Sequence, residues 1–118
     1  MIQILSLHIK TRGNGHIIDL TGQMEEFLHS SKASEAVIAL FVVGSTAGLM
    51  AIEYEPGLVK HDVEAAFERL APQHGQYRHE ETWHDDNGHS HVLASLLGPS
   101  LHVPVVDGQM SLGGDEHS

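Results

Sequence analysis

The stretch 36-AVIALFVV-43 decides the fold because it is a continuous apolar run rich in β-branched residues. Its length suits a strand that is buried on both faces better than a helix, which usually needs about ten residues or more. We therefore predict the central strand of a sheet here. The segment 44-GSTAG-48 breaks the run, and residues 49–54 predict another strand that ends at 55-EPG-57.

Helical spacing appears on both sides of this strand. Thr21 is a residue type that caps helices, and the apolar residues after it fall on one face, so we predict a helix that stops near Ser30. Residues 58–70 predict a second amphipathic helix, which Pro72 ends. Further strands are predicted at residues 1–10, 89–97, 101–106 and 109–112, with a hairpin turn at 107–108. The expected fold class is α+β, with a mixed or antiparallel, sandwich-like sheet and two main helices.

Size and charge limit what the chain can bind. Its 118 residues suit one domain, predicted over residues 1–118. The formal net charge of −10 repels phosphate backbones and anionic bilayers, and no apolar run approaches the roughly 20 residues that span a membrane. We therefore expect no nucleic-acid partner, no membrane and a cytoplasmic location. Cysteine is absent, so any metal ion must be held by histidine and carboxylate ligands.

Histidine is the unusual residue of the composition, with eleven in the chain. Many lie in or beside the polar stretch 72–88, which we predict to be a long loop. His89 and His91 begin the predicted strand after it, and residues two apart on a strand project from one face, where two imidazoles can share a cation. The loop offers further ligands in His74, His79, His84, Asp85 and Asp86. The alternative is a solvated loop with one buried polar contact.

The segment 77-YRH-79 places a phenol, a cation and an imidazole side by side. In a functional interpretation His79 is a general base or a ligand, and Arg78 clamps an anion. In the other interpretation Tyr77 packs on the sheet beside exposed polar groups.

Two weaker patterns lie near the predicted central strand. The loop 44–48 can offer backbone N–H groups and the hydroxyls of Ser45 and Thr46 to a phosphate, although it does not match the P-loop pattern. Glu53 and Glu55 lie two apart at a predicted strand end, and Asp62 lies one turn into the helix that follows. Paired carboxylates can do acid–base work or bind magnesium. A plain connecting loop and solvated carboxylates are the alternatives, and 55-EPG-57 also suits a structural turn before a helix.

Taken in order, these motifs resemble the YjbQ-like family, also called the secondary thiamine-phosphate synthase family. The resemblance covers nearly the whole chain and strengthens the expectation of a functional site at His79 and His91. It rests on 44-GSTAG-48, 52-IEYEPG-57, Asp62, 77-YRH-79, 87-NGHSH-91, 95-SLLGPS-100 and 104-PVVDG-108.

The resemblance implies a YjbQ-like fold, a homotrimer, and a pocket near the subunit contacts lined by His, Asp, Glu and Asn. It also implies a weak thiamine-phosphate synthase activity, in which a pyrimidine carbon bearing pyrophosphate is joined to the nitrogen of a thiazole phosphate. On this analogy a divalent metal ion, zinc or magnesium, acts on the departing pyrophosphate together with Ser45, Thr46 and Glu53.

Two departures from the family pattern stand out. Other branches have a histidine where this chain has Gly44, and we expect His89 to replace it. The family also continues after 112-LG-113 with a Thr-Trp-Gln segment and a final strand. The resemblance therefore predicts that the C-terminal strand is missing or shortened here.

The sequence as a whole favours a metal-assisted, thiamine-phosphate synthase-like transferase that acts on a small phosphorylated molecule. Its catalytic residues are predicted to be His79, His91, Asn87, Glu53 and Asp62, with Ser45 and Thr46 binding the phosphate-bearing group. The predicted metal ligands are His79, His89 and His91. The rival hypothesis is a non-catalytic trimeric module that binds a metal or a small anion at the same place.

Overall fold

The computed structural model describes residues 1–13, 15–83 and 86–113. The turn residue Asn14, the proposed ligands His84 and Asp85, and the predicted C-terminal shortening after residue 113 lie outside the described residues. Within those ranges the chain forms α1 (Thr21–Ser31), β1 (Ala36–Phe41), a π-helical turn (Leu58–Asp62), α2 (Val63–Leu70), α3 (Arg78–Trp83), α4 (Gly88–Leu97), β2 (Ser100–Val106) and β3 (Gln109–Met110). The α+β fold class is confirmed.

The strands form one sheet in the order β1-β2-β3. β2 and β3 are antiparallel, with Val105 opposite Met110. Asp107 and Gly108 join them with φ angles of 52° and 75°, as a two-residue hairpin turn requires. The carbonyl of Ser34 accepts the Gly108 N–H at 2.9 Å. The predicted hairpin is therefore confirmed.

The chain divides into two compact units, which are described separately. Residues 1–38 and the described residues from 102 onward form the first unit, which buries Leu28, Val103 and Val105. Residues 39–101 form the second, which buries Val59, Ala71 and Ala94. The single domain over residues 1–118 stays a prediction.

Several strand predictions are wrong in part or in full. β1 is a strand, but its residues alternate between half-buried and exposed, and the middle of the sheet is β2. Val37 and Phe41 on the open face are 62% and 70% exposed, so the apolar run indicates strand propensity rather than burial. Residues 1–10 and 49–54 carry no regular strand, because alternation alone does not supply a pairing partner.

The turn before α2 has the structural role that its sequence suggests. The carboxylate of Glu55 accepts the N–H groups of Gly57 and Leu58, both at 2.9 Å. These are first-turn donors that have no partner within the helix, so a carboxylate stabilises the helix start. The predicted helix over residues 58–70 is confirmed as the π-helical turn followed by α2.

Gly48 marks a close approach between the loop after β1 and the end of α4. A Cβ at this position would lie 2.7 Å from the Cβ of Leu97, which no real side chain tolerates. On either side of it, Leu49 N–H donates to Gly98 O at 3.0 Å and Val42 N–H donates to Pro99 O at 2.8 Å. The C-terminal end of α4 is thus held between two backbone hydrogen bonds.

The largest error of the sequence analysis concerns residues 89–97, which form helix α4 and not a strand. A short apolar run can be either element, and periodicity alone does not separate the two. Part of the predicted long loop is also helical, as α3. Within the described ranges, no helix has the length and apolar character needed to cross a bilayer.

Candidate functional site

Helices α3 and α4 bring two predicted site residues together within the second unit. The imidazole of His79 on α3 and that of His91 on α4 have ring centroids 4.5 Å apart, with the planes tilted by 43°. Both residues are half-buried. Because imidazole is the side chain most often used in acid–base catalysis, two rings held in contact are candidates for such chemistry on a bound molecule.

Glu80 connects the two helices. It was not among the predicted site residues. Its Oε1 accepts the backbone N–H of Gly88 at 2.8 Å and lies 4.0 Å from Nδ1 of His79. The carboxylate therefore occupies the position of an N-cap for α4, although it comes from eight residues earlier in the chain. No local sequence pattern indicates a cap supplied from another helix.

Gly88 allows the two helices to meet this closely. A Cβ there would lie 2.6 Å from the Cβ of Tyr77 and 2.8 Å from Oε1 of Glu80. Gly88 was part of a recognised motif, but as the last residue of the predicted loop it had no steric role. A prediction of helix over residues 88–97 would have placed this glycine at a helix start, where a close contact with a neighbouring element can be expected.

His89 does not share a face with His91, which corrects the argument that paired them on a strand. A helix turns by about 100° per residue, so residues two apart point roughly 200° from each other. His89 is 5% exposed and its ring lies 6.5 Å from that of Tyr77, whereas His91 contacts His79. His89 is therefore a buried packing residue on the other side of α4.

Asn87 precedes α4, and its carbonyl accepts the N–H groups of Ser90 and His91. Its side-chain Oδ1 is buried and has no hydrogen-bond partner among the described residues, and the same holds for Oε2 of Glu80 and Nδ1 of His89. Buried polar atoms without partners are costly, so the junction of α3 and α4 holds hydrogen-bonding groups that the described residues leave unused. A role of Asn87 in orienting a substrate stays a prediction.

Tyr77 is held at the start of α3 as a hydrogen-bond donor. Its hydroxyl donates to the carbonyl of Pro72 at 2.6 Å. Removal from water raises the pKa of the Tyr77 phenol, and the negative charges of Glu68 and Glu80 raise it further. The phenol therefore stays protonated at neutral pH and serves structure rather than base catalysis.

An open concavity of about 620 Å³ lies beside α3. It is lined by residues 75–78 together with Glu80, Glu81 and Asp86. This lining contains one cationic residue, Arg78, and three carboxylates, so its formal charge is negative. A phosphate in this concavity would depend on Arg78 or on a cation that enters with it.

The other predicted site residues lie on other segments of the second unit. Ser45, Thr46, Glu53 and Asp62 are all exposed. The carboxylate of Asp62 lies 2.8 Å from Nδ1 of the exposed His61. Their part in a site stays a prediction.

The described residues do not fit a metal centre with three protein ligands. In residues 1–13, 15–83 and 86–113 no group of three or more His, Asp or Glu side chains is placed to hold a metal ion. Of the predicted ligands, His79 and His91 contact each other, whereas His89 points to the other side of α4. A catalytic zinc ion commonly takes three protein ligands, and magnesium prefers oxygen ligands, so the histidine pair alone falls short of either.

Comparison with known proteins identifies the family. Residues 5–117 match the profile of the UPF0047 protein YjbQ-like family. A UPF0047 protein of Archaeoglobus fulgidus is 33% identical over 109 residues, which are 92% of this chain and 82% of the relative. The UPF0047 protein YugU of Bacillus subtilis is 31% identical over 92% of this chain and 80% of its own length.

Solved structures agree with this result. An uncharacterised conserved protein of the YjbQ/UPF0047 family from Clostridium acetobutylicum superposes with a TM-score of 0.76, at 28% identity, over 89% of this chain and 79% of the other. A hypothetical protein from Aeropyrum pernix gives a TM-score of 0.75 at 31% identity, over 81% and 69% of the two chains. The chain therefore belongs to the UPF0047 YjbQ-like family.

Proposed function

We propose that this protein is an enzyme that uses the histidine pair on α3 and α4 for proton transfer to a small phosphorylated molecule. The observation that carries the proposal is the 4.5 Å contact between the rings of His79 and His91. General acid–base catalysis needs proton-carrying side chains that are held in place, and imidazoles are the side chains most often used for it. His79 and His91 are both half-buried, and they lie on helices that pack against each other.

The substrate class rests on the family resemblance. In a thiamine-phosphate synthase reaction, the nitrogen of a thiazole phosphate attacks a pyrimidine carbon, and the bond from that carbon to pyrophosphate breaks. The departing pyrophosphate gains negative charge, which a proton from an imidazolium neutralises. We assign this proton to the histidine pair, the orientation of the substrate to Asn87, and contact with the anion to Arg78. Ser45, Thr46, Glu53 and Asp62 remain supporting candidates.

An assay with both substrates tests the proposal. A pyrimidine pyrophosphate and a thiazole phosphate are incubated with the protein and Mg²⁺, and thiamine phosphate is measured by chromatography. We expect product in proportion to the amount of protein, and we expect either substrate to shift the NMR signals of the His79 and His91 rings. A sample without protein is the control. Shifts confined to other parts of the chain, or no product above the control, would refute the proposal.

A non-catalytic trimeric module that binds a metal or a small anion is the second candidate. The observation that favours it is the exposure of Met1, Ile2 and Ile4, at 110%, 87% and 86%, because exposed apolar segments often mark subunit contacts. In such a trimer the two imidazoles would supply part of a metal site, and a neighbouring copy would complete it.

Removal of metal separates the two candidates. For the binding module we expect purified protein to contain zinc or another divalent ion, and we expect a chelator to lower the melting temperature and dissociate the trimer. Elemental analysis and light scattering, before and after chelation, measure both. Unchanged mass and melting temperature in a metal-free sample would exclude the metal-binding form of this module.

A further inference from the structure

We propose that Glu80 is the positioning residue of the histidine pair. One carboxylate oxygen fixes the start of α4 and, in the same place, determines which ring nitrogen of His79 carries the proton. The use of that proton in catalysis rests on the proposed function, whereas its location on the ring is independent of it.

The first step of the argument is the anchoring of the carboxylate. The bond from Gly88 N–H to Oε1, at 2.8 Å, joins residue 80 on α3 to the first residue of α4. The side chain of Glu80 is 22% exposed, so water competes little for this bond. A carboxylate that is held by a backbone N–H cannot turn away from its neighbours.

The second step concerns the imidazole beside this carboxylate. The same Oε1 lies 4.0 Å from Nδ1 of His79, whose side chain is 26% exposed. A neutral imidazole carries its proton on one nitrogen, and a nearby carboxylate favours the form with the N–H on its own side. Glu80 therefore favours the proton on Nδ1 and leaves Nε2 as the basic nitrogen of His79.

The third step distinguishes Glu80 from the other carboxylates of α3. Glu81 is the next residue, but a helix turns by about 100° per residue, and its side chain is exposed. Glu80 and Glu81 thus carry the same charge and lie on the same helix, but it is the carboxylate of Glu80 that accepts the Gly88 N–H. Glu81→Gln is therefore a matched control for Glu80→Gln.

The test measures the tautomer of His79 directly. Ring ¹⁵N chemical shifts are recorded on labelled full-length protein, in the wild type, Glu80→Gln and Glu81→Gln, at a pH where the ring is neutral. We expect the Nδ1–H form to be the major form of His79 in the wild type and in Glu81→Gln, and the minor form in Glu80→Gln. The same tautomer in wild type and Glu80→Gln would overturn the proposal.

A second variant separates the anchoring role from the charge. Glutamine keeps a carbonyl oxygen that can accept the Gly88 N–H, whereas Glu80→Ala removes the acceptor. We expect the downfield Gly88 amide proton signal to persist in Glu80→Gln and to move upfield in Glu80→Ala. An unchanged Gly88 signal in Glu80→Ala would refute the anchoring role. If the alanine variant does not fold, the tautomer measurement on the glutamine variant still decides the proposal.

Turnover gives a readout that distinguishes this inference from the proposed function. We expect kcat to fall about 10-fold in Glu80→Gln and to stay near the wild-type value in Glu26→Gln, which changes an exposed carboxylate on α1. A changed tautomer without product in any variant would refute the proposed function and leave the role of Glu80 intact. Turnover that depends on His91 together with an unchanged tautomer in Glu80→Gln would refute the role of Glu80 alone.

Discussion

Replacing His91 by alanine is expected to lower turnover by about 100-fold or more while the protein stays folded. A positioned acid–base group contributes roughly 10²–10⁴-fold to a rate, and His91 is one of the two rings in contact. Its half-buried position means that alanine removes little core packing. Steady-state kinetics on the thiamine-phosphate-forming reaction and a melting curve measure the two parts of the prediction.

The controls for His91→Ala use the other histidines. His102 is exposed on β2, so His102→Ala should leave kcat unchanged. If the rings act as a unit, the double variant of His79 and His91 should be no slower than either single variant, because residues that act together are not additive. Losses that simply multiply in the double variant would show that the two histidines act separately. A His91→Ala protein with normal turnover would remove the basis of the proposed function.

Replacing Gly88 by alanine is expected to destabilise the protein by about 2 kcal/mol or more. The added Cβ would lie 2.6 Å from the Cβ of Tyr77, far inside the roughly 3.5 Å of ordinary contact, and such overpacking costs about 1–3 kcal/mol. Displacing Oε1 of Glu80 weakens a charge-assisted hydrogen bond worth about 1.5–3 kcal/mol. The better helix propensity of alanine returns only about 1 kcal/mol. Urea unfolding measures the net change.

Gly22→Ala is the matched control for Gly88→Ala. Gly22 lies near the start of α1, and a Cβ there would meet nothing within 4 Å. The same substitution should therefore leave the free energy of unfolding unchanged or raise it slightly, by up to about 1 kcal/mol. If Gly88→Ala behaves like Gly22→Ala, the close contact between α3 and α4 does not exist as described.

Local signals in the sequence predicted the parts of the fold that depend on neighbouring residues. The hairpin turn at 107–108 needs two residues that tolerate positive φ, and Asp followed by Gly supplies them. The amphipathic spacing from Leu58 to Leu70 and the turn at Glu55 depend equally on short-range chemistry. These predictions hold because no distant residue is required.

The errors arose where distant contacts decide the structure. Residues 89–97 are apolar enough for either a strand or a helix, and the choice depends on packing against α3, which the sequence does not display. The candidate pair His79 and His91 was predicted correctly as neighbours, although on the wrong kind of element. Glu80 could not be found, because its partner Gly88 lies on another helix and both are common residue types.

The anchoring of α4 at its C-terminal end makes the number of residues between His91 and Gly98 significant. Leu97 lies against Gly48, and Gly98 is bonded to Leu49, so this end of the helix has a fixed orientation. Inserting one residue between the anchor and His91 would rotate the imidazole by about 100° around the helix axis, away from His79. Inserting seven, close to two full turns, would restore its direction to within about 20° but would move it by about 10 Å along the helix axis. Neither insertion keeps the imidazole against His79, so the distance along the chain from His91 to this anchor is fixed by the contact between the two rings.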